Sequence, residues 1–269
     1  MNKPTPDTAK DQYFLVDEEI IDKIVSLADL NKNDVVLEVG AGTGNLTREI
    51  AKKAGRVITF EIDERHRPFL EKLSGNVDVH YESAWDYVQL HGKFRKKKEY
   101  NKVVANPPYS FVEPFLHNLT FLDYDKVILM IPIKLLAKIN TNEVFGSFFR
   151  AELLLTVPKE KFLPVPRTNS VVINLIKLPD PLESKNLGLF LRQYLYQHEQ
   201  QLVKNSLIEG LIKYASMACS ITLTKNQARK IVKGANIPNE LLDRNPDKPD
   251  VYFEVEKKLG DDSALFVLQ

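Results

Sequence analysis

Cysteine is nearly absent: Cys219 is the only one in 269 residues. That excludes an intrachain disulfide and any metal site built on clustered thiolates, and Cys219 itself is expected to be a small buried side chain. Long apolar runs are missing too, so no segment reads as a membrane span. The opening stretch MNKPTPDTAKDQ lacks the apolar core of a secretory signal and the Arg-rich pattern of a transit peptide, and a cytoplasmic location is expected. Five histidines include no pair at ligand spacing, so no metal is expected. There are no internal repeats and no low-complexity tract. The formal net charge of +1 shows no excess of either sign, which leaves a nucleic-acid partner open, because local clusters make the electrostatic footprint. The apolar share of 43% and charged share of 27% are ordinary for a globular chain. The length suits one large domain, or a domain of about 180 residues with a smaller partner.

What is present alternates. DVVLEV (34–39), RVITFEID (56–63), NVDVHY (76–81), a run inside NKVVANPPY (101–109) and DKVILMIP (125–132) read as strands. DEEIIDKIVSLADL (17–30), LTREIAKKAG (46–55) and RHRPFLEKLSG (65–75, with Pro68 in its first turn) read as helices. Strands alternating with helices give βαβ units, an α/β fold and a parallel sheet. After SVVINLIKL (170–178) the texture changes. PDPLESKN (179–186) reads as a linker, and helices are predicted over 187–197, 199–216, 224–234 and 250–259. The expected organisation is a catalytic domain over 1–182 and a small, mostly helical domain over 183–269.

Two constellations carry chemistry. In Glu38-x-Gly40-x-Gly42-x-Gly44, residues without Cβ let the chain turn tightly and let a ligand lie against the backbone. The spacing is not the G-x-G-x-x-G of pyrophosphate-binding folds, and no lysine follows as in a P-loop. Glu61, at the carboxyl end of the second strand, is placed to take both ribose hydroxyls of a nucleoside cofactor. A glycine loop and a ribose acid without phosphate machinery point to S-adenosylmethionine. The second constellation is Asn106-Pro107-Pro108-Tyr109. Prolines cannot donate to a sheet ladder, so the strand stops there and leaves an amide and an aromatic ring at its end. The exocyclic amine of a purine is a poor nucleophile because its lone pair is delocalised. The Asn106 side-chain oxygen and the Pro107 carbonyl can accept its two hydrogens, while Tyr109 stacks on the base.

In order and spacing, Gln12-x-Phe14-Leu15, the Glu38–Gly44 loop, Glu61-x-Asp63, Asn106-x-Pro108-Tyr109 and FLPVPRTNSVV (162–172) resemble the rRNA adenine dimethyltransferases, the KsgA, Dim and Erm group. The resemblance spans residues 11–178, and the helical tail is similar to that family's small C-terminal domain. It implies a Rossmann-like methyltransferase fold and methyl transfer from S-adenosylmethionine to adenine N6. It also implies cofactor contacts from Gln12, Leu15, Gly40, Gly42 and Glu61, adenine held by Asn106 and Tyr109, and Phe162 as a second stacking wall. Three positions depart from the family. Pro107 stands where Leu or Ile is usual, Ser83 replaces an Asp that meets the cofactor's adenine, and the Q-x-E stretch after the fifth strand is absent. Ser83 would still offer that adenine one hydrogen bond.

KFRKKKEY (93–100) packs Lys93, Arg95, Lys96, Lys97 and Lys98 just before the catalytic strand, where they could grip RNA phosphates. The expected activity is dimethylation of adjacent adenines in small-subunit rRNA, with rRNA or the pre-ribosomal small subunit as partner and the enzyme a monomer. Alternatives are an Erm-like enzyme on large-subunit rRNA, a DNA adenine or protein glutamine methyltransferase, and a non-catalytic nucleic-acid-binding relative.

Overall fold

The structure, a computed structural model, describes residues 6–7, 12–91, 99–120, 124–141, 148–178, 186–246 and 249–260. The chain divides into two compact units, Met1–Thr141 with Phe149–Ile176, and Asn142–Phe148 with Lys177–Gln269. The linker expected at 179–186 lies almost entirely outside the described residues.

In the first unit, β1 (Phe14–Leu15) leads into α1 (Glu18–Leu27). The Asp17 carboxylate caps α1 by accepting the Ile20 N–H at 3.0 Å, and Ile20, Ile21, Ile24 and Val25 form its buried stripe. There follow β2 (Val35–Val39), α2 (Asn45–Lys53), β3 (Arg56–Phe60), α3 (Arg67–Leu70), β4 (Val77–His80), α4 (Ala84–His91), β5 (Lys102–Ala105), α5 (Tyr109–Leu119), β6 (Lys126–Pro132) and α6 (Ile133–Thr141). The unit closes with β7 (Phe149–Val157), β8 (Phe162–Leu163) and β9 (Ser170–Lys177).

Seven strands form one sheet in the order β4-β3-β2-β5-β6-β9-β7. The pairs β3–β4, β2–β3, β2–β5 and β5–β6 are parallel, and β9 runs antiparallel to β6. Central strands buried on both faces explain the apolar run of β6 and, Glu38 apart, that of β2. β1 and β8 form a separate antiparallel ribbon, Phe14 opposite Leu163 and Leu15 opposite Phe162.

Two predicted elements are shorter than expected. β3 ends at Phe60, because Glu61 and Asp63 turn the chain with their own carboxylates. The helix predicted over 65–75 is a 3-10 turn (Glu64–His66) followed by the single turn of α3, after which Lys72 and Leu73 donate to Phe69 and Leu70 instead of continuing the α pattern.

The second unit is helical: α7 (Leu187–Gln197), α8 (Val203–Ala218), α9 (Lys225–Gly234), α10 (Asn239–Leu242) and α11 (Pro249–Leu259). Its own core gathers Phe190, Leu191, Leu211, Tyr214, Val251 and Val255. α8 begins later than expected, since a turn closed by Gln201 donating to the His198 carbonyl precedes it. Cys219 is half-buried rather than buried, because it sits at the carboxyl cap of α8. Among the described residues no helix is long and apolar enough to cross a membrane.

Candidate active site

The order β3-β2-β5 places the switch point of the sheet between β2 and β5, and in such sheets ligands bind outside the carboxyl ends of the strands at that point. Both sequence constellations leave from there. β5 stops at Ala105, immediately before Asn106. Gly40 has φ +81°, and a Cβ on it would lie 3.2 Å from Pro108 Cδ and 3.7 Å from the Asn106 carbonyl oxygen. A glycine is therefore what lets the two loops touch. Gly42 has φ +55°, and its Cβ would meet the Phe14 ring at 3.0 Å. One glycine seats the Asn-Pro-Pro-Tyr loop, and the other seats the ribbon. The Gly40 and Ala41 N–H groups donate to the Phe60 carbonyl at 2.9 and 3.1 Å, which ties the loop to β3.

Three buried acids, Glu38, Glu61 and Asp63, organise the site, the first two lining the cavity itself. Glu61 is buried, and its two oxygens accept the N–H of Gly42 at 2.7 Å and of Asp63 at 2.8 Å. Each oxygen keeps lone-pair capacity for a ligand hydroxyl. Glu38 is 1% exposed and accepts the Thr59 hydroxyl at 2.8 Å. Burial pushes its carboxyl up to about 7, against the pull of hydroxyl hydrogen bonds and with help from the Glu61 charge. Asp63 goes the other way: the Arg65 guanidinium, and next the Gln12 amide, hold its carboxyl well below the usual range despite burial. Gln12 Nε2 donates to Asp63 at 2.8 Å and Gln12 Oε1 accepts the Asp7 N–H at 2.8 Å, so its amide is fixed at both ends.

One cavity of about 310 Å³ is lined by Gln12, Leu15, Gly40, Gly42, Glu61, Ser83, Asn106, Pro107 and Tyr109. Asn106 is half-buried and Pro107 buried. Tyr109 opens α5, and its hydroxyl lies 3.2 Å from Ser170 Oγ. Ser83 is exposed, and its Oγ accepts the Trp85 N–H at 3.2 Å at the start of α4. Phe162 does not join them. It is 3% exposed, packs in the apolar core with Leu15, Val157 and Val172, and lines no part of the cavity. The structure therefore does not bring the expected stacking wall to the cavity: on β8, paired with β1, the ring lies on the core side of the ribbon. Lys93, Arg95, Lys96, Lys97 and Lys98 lie outside the described residues.

Several lining residues were not singled out in the sequence. Tyr13 stacks on Tyr109, with centroids 6.0 Å apart and planes at 20°. Ile62, 61% exposed, also faces the cavity, beside Phe14 of the Gln12-x-Phe14-Leu15 motif. Ile62 was legible in principle, since an apolar residue between two acids at a strand end has no core to enter. Tyr13 gave no such signal.

A switch-point cavity made of a glycine loop, a held carboxylate and an amide-proline-aromatic loop, on this sheet, defines a Rossmann-like methyltransferase. More narrowly, the chain belongs to the ribosomal RNA adenine dimethylase family, whose model matches residues 7–237. A probable ribosomal RNA small subunit methyltransferase A of Methanococcus vannielii is 32% identical over 272 residues, which cover 96% of this chain and 95% of that protein. A protein of the same description from Methanopyrus kandleri is 29% identical over 254 residues, covering 87% and 84%. Among solved structures, a dimethyladenosine transferase from Plasmodium falciparum aligns with a TM-score of 0.56 at 19% identity, over 91% of this chain and 98% of its own. The 23S rRNA methyltransferase ErmE gives 0.55 at 20% identity, over 92% and 100%. At those identities the likeness is one of fold.

Proposed function

We propose that this chain transfers methyl groups from S-adenosylmethionine to the N6 amine of adenine in small-subunit ribosomal RNA, dimethylating adjacent adenines during ribosome biogenesis. The observation that carries the reading is the seating of the glycine loop against Asn106-Pro107-Pro108-Tyr109, which puts a nucleoside-binding floor and an amine-binding amide in one cavity.

The residues present fit the cofactor. Gly40 and Gly42 leave a cradle that a Cβ would fill, and Glu61 offers a fixed carboxylate for ribose hydroxyls. Leu15, the exposed face of Ile62 and Ser83 would border the remainder, with Gln12 holding the wall through Asp63. Bound there, S-adenosylmethionine supplies an electrophilic methyl group. Asn106 Oδ1 and the Pro107 carbonyl would accept the two hydrogens of the target amine, hold its nitrogen pyramidal and aim its lone pair. Tyr109, steadied through Ser170, gives the base a face to stack on. No strong base is needed, and positioning carries most of the acceleration. The paired, stacked amine of a helix cannot reach such a pocket, so the target adenine lies in a loop or is splayed out. Phosphate contacts fall to the basic cluster at 93–98, and the helical unit adds further contacts to the RNA.

The test is methylation of under-methylated small ribosomal subunits, read as N6,N6-dimethyladenine by mass spectrometry of the rRNA. Asn106→Ala should lower kcat by at least about tenfold while calorimetric affinity for S-adenosylmethionine stays within about twofold, because the amide oxygen it removes acts on the reacting amine. Methylation confined to large-subunit rRNA, or a variant as fast as wild type, would overturn the reading.

A further inference from the structure

The three acids of the site differ in what balances them. Asp63 has the Arg65 guanidinium, with Nε at 2.9 Å. Glu61 has two backbone N–H donors. Glu38, one residue from the end of β2, is buried and still lines the cavity. Among the described residues, the groups that face it are the Thr47 hydroxyl from α2, the Thr59 hydroxyl from β3 and the Glu61 carboxylate from beyond β3, none of them a cation. On the β5 side its neighbour Leu37 meets Val103, which is apolar. A carboxyl removed from water, beside a like charge, holds its proton. The place is also close to where the chemistry must occur. Gly40 lies two residues on, and its would-be Cβ is 3.7 Å from the Asn106 carbonyl oxygen. A methyl donor aimed at an amine on Asn106 sets its sulfonium between that loop and Asn106, and so near Glu38.

We propose that Glu38 tells methyl donor from spent product by charge: it releases its proton to solvent when S-adenosylmethionine binds and keeps it when S-adenosylhomocysteine binds. The donor carries a sulfonium, an ammonium and a carboxylate. The product has lost the sulfonium charge with the methyl group and is neutral overall. A positive charge in the cavity offsets both causes that keep Glu38 protonated, its burial and the Glu61 charge, and attraction across a site shielded from water is stronger than in water. The neutral product offers no such offset. The sign of the linkage follows. Free Glu38 holds its proton up to about pH 7, so below that value donor binding must expel it. Donor affinity therefore rises with pH and levels off above about 7, while product affinity stays flat. After transfer the carboxyl takes a proton back from solvent, and the attraction that held the donor is gone. This inference rests on the adenine-methylation reading above.

The test is calorimetric titration of the full chain with S-adenosylmethionine and with S-adenosylhomocysteine, from about pH 6 to about pH 8, in two buffers of different ionisation heat so that released protons are counted. Near pH 6.5 the wild type should release roughly half a proton or more per donor bound, and clearly less per product. Across the series its donor affinity should gain about tenfold and its product affinity change by less than about twofold. Glu38→Gln is uncharged at every pH and should lose both the released proton and the rise in donor affinity. The donor's own α-amine, which titrates near about pH 8, contributes alike to both proteins and drops out of their difference. Equal proton release with donor and product in the wild type overturns the proposal, and that comparison needs no variant. So does a Glu38→Gln protein whose proton release and pH dependence match the wild type. If the wild type binds neither ligand, the underlying reading has failed. Binding of both without a difference in protons counts against Glu38 alone.

Discussion

Glu61 and Glu38 show how neighbouring carboxylates at two strand ends take different tasks. Glu61 is held at the cavity wall by two backbone N–H groups. Glu61→Ala removes the proposed acceptor of the ribose hydroxyls and should weaken S-adenosylmethionine binding by about 1.5–3 kcal/mol, roughly ten- to a hundredfold. Unchanged titration heats would take Glu61 out of the site. Glu38, deeper, keeps its proton to about pH 7, against an ordinary value of 4.5. Between those values the folded chain binds more protons than the unfolded one, so this residue makes stability fall as pH rises through that window, and its penalty is complete above it. Glu38→Gln lifts the penalty. Its melting temperature should gain on wild type as pH is raised from about 5 to 8, with the smallest difference at the acid end. A constant offset across the series would mean that another group titrates.

At the scale of elements, the ribbon of β1 and β8 decides what the cavity wall is made of. Phe162→Ala empties a core position and should destabilise the unit by about 3–5 kcal/mol, read as a lower denaturation midpoint. A drop in activity without a drop in stability would return Phe162 to the base pocket. The main strands were legible because the parallel sheet needs apolar runs, and the end of β5 was legible because Pro107 and Pro108 cannot join a ladder. The ribbon was not. Two residues cannot display a period of two, and nothing in Phe14–Leu15 indicates a partner in Phe162–Leu163. For the same reason the motif residues Leu15 and Phe162 could be recognised without knowing that they face each other. The short α3 was misjudged, since its apolar spacing fits a helix equally well, and Tyr13 was hidden because an aromatic beside Phe14 reads as core.

For the whole molecule, the proposed binding to a ribosomal particle has to come from charge that the overall balance of +1 conceals. α9 carries Lys225, Arg229, Lys230 and Lys233 and no acid, so the helical unit has one basic helix of its own. The cluster from Lys93 to Lys98 is denser and lies next in sequence to the catalytic strand. Replacing Lys96, Lys97 and Lys98 by Glu should weaken binding to small ribosomal subunits and flatten its dependence on salt, by about one unit of slope for each phosphate no longer neutralised, with cofactor affinity unchanged. Identical salt slopes would leave the grip to other residues, α9 first among them. The ribbon has one more effect, and it concerns time. Leu15 leaves the ribosome early, but the strand it must pair with, at Phe162, follows about 150 residues later. At about 5–20 residues per second, that is roughly 7–30 s of synthesis. Through that interval the glycine loop and β2 to β6 can be assembled while the wall beside them is still unfastened. A nascent chain arrested before residue 162 would hold most of a sheet and no closed cofactor site, so the capacity to bind a ligand is among the last things the catalytic unit acquires.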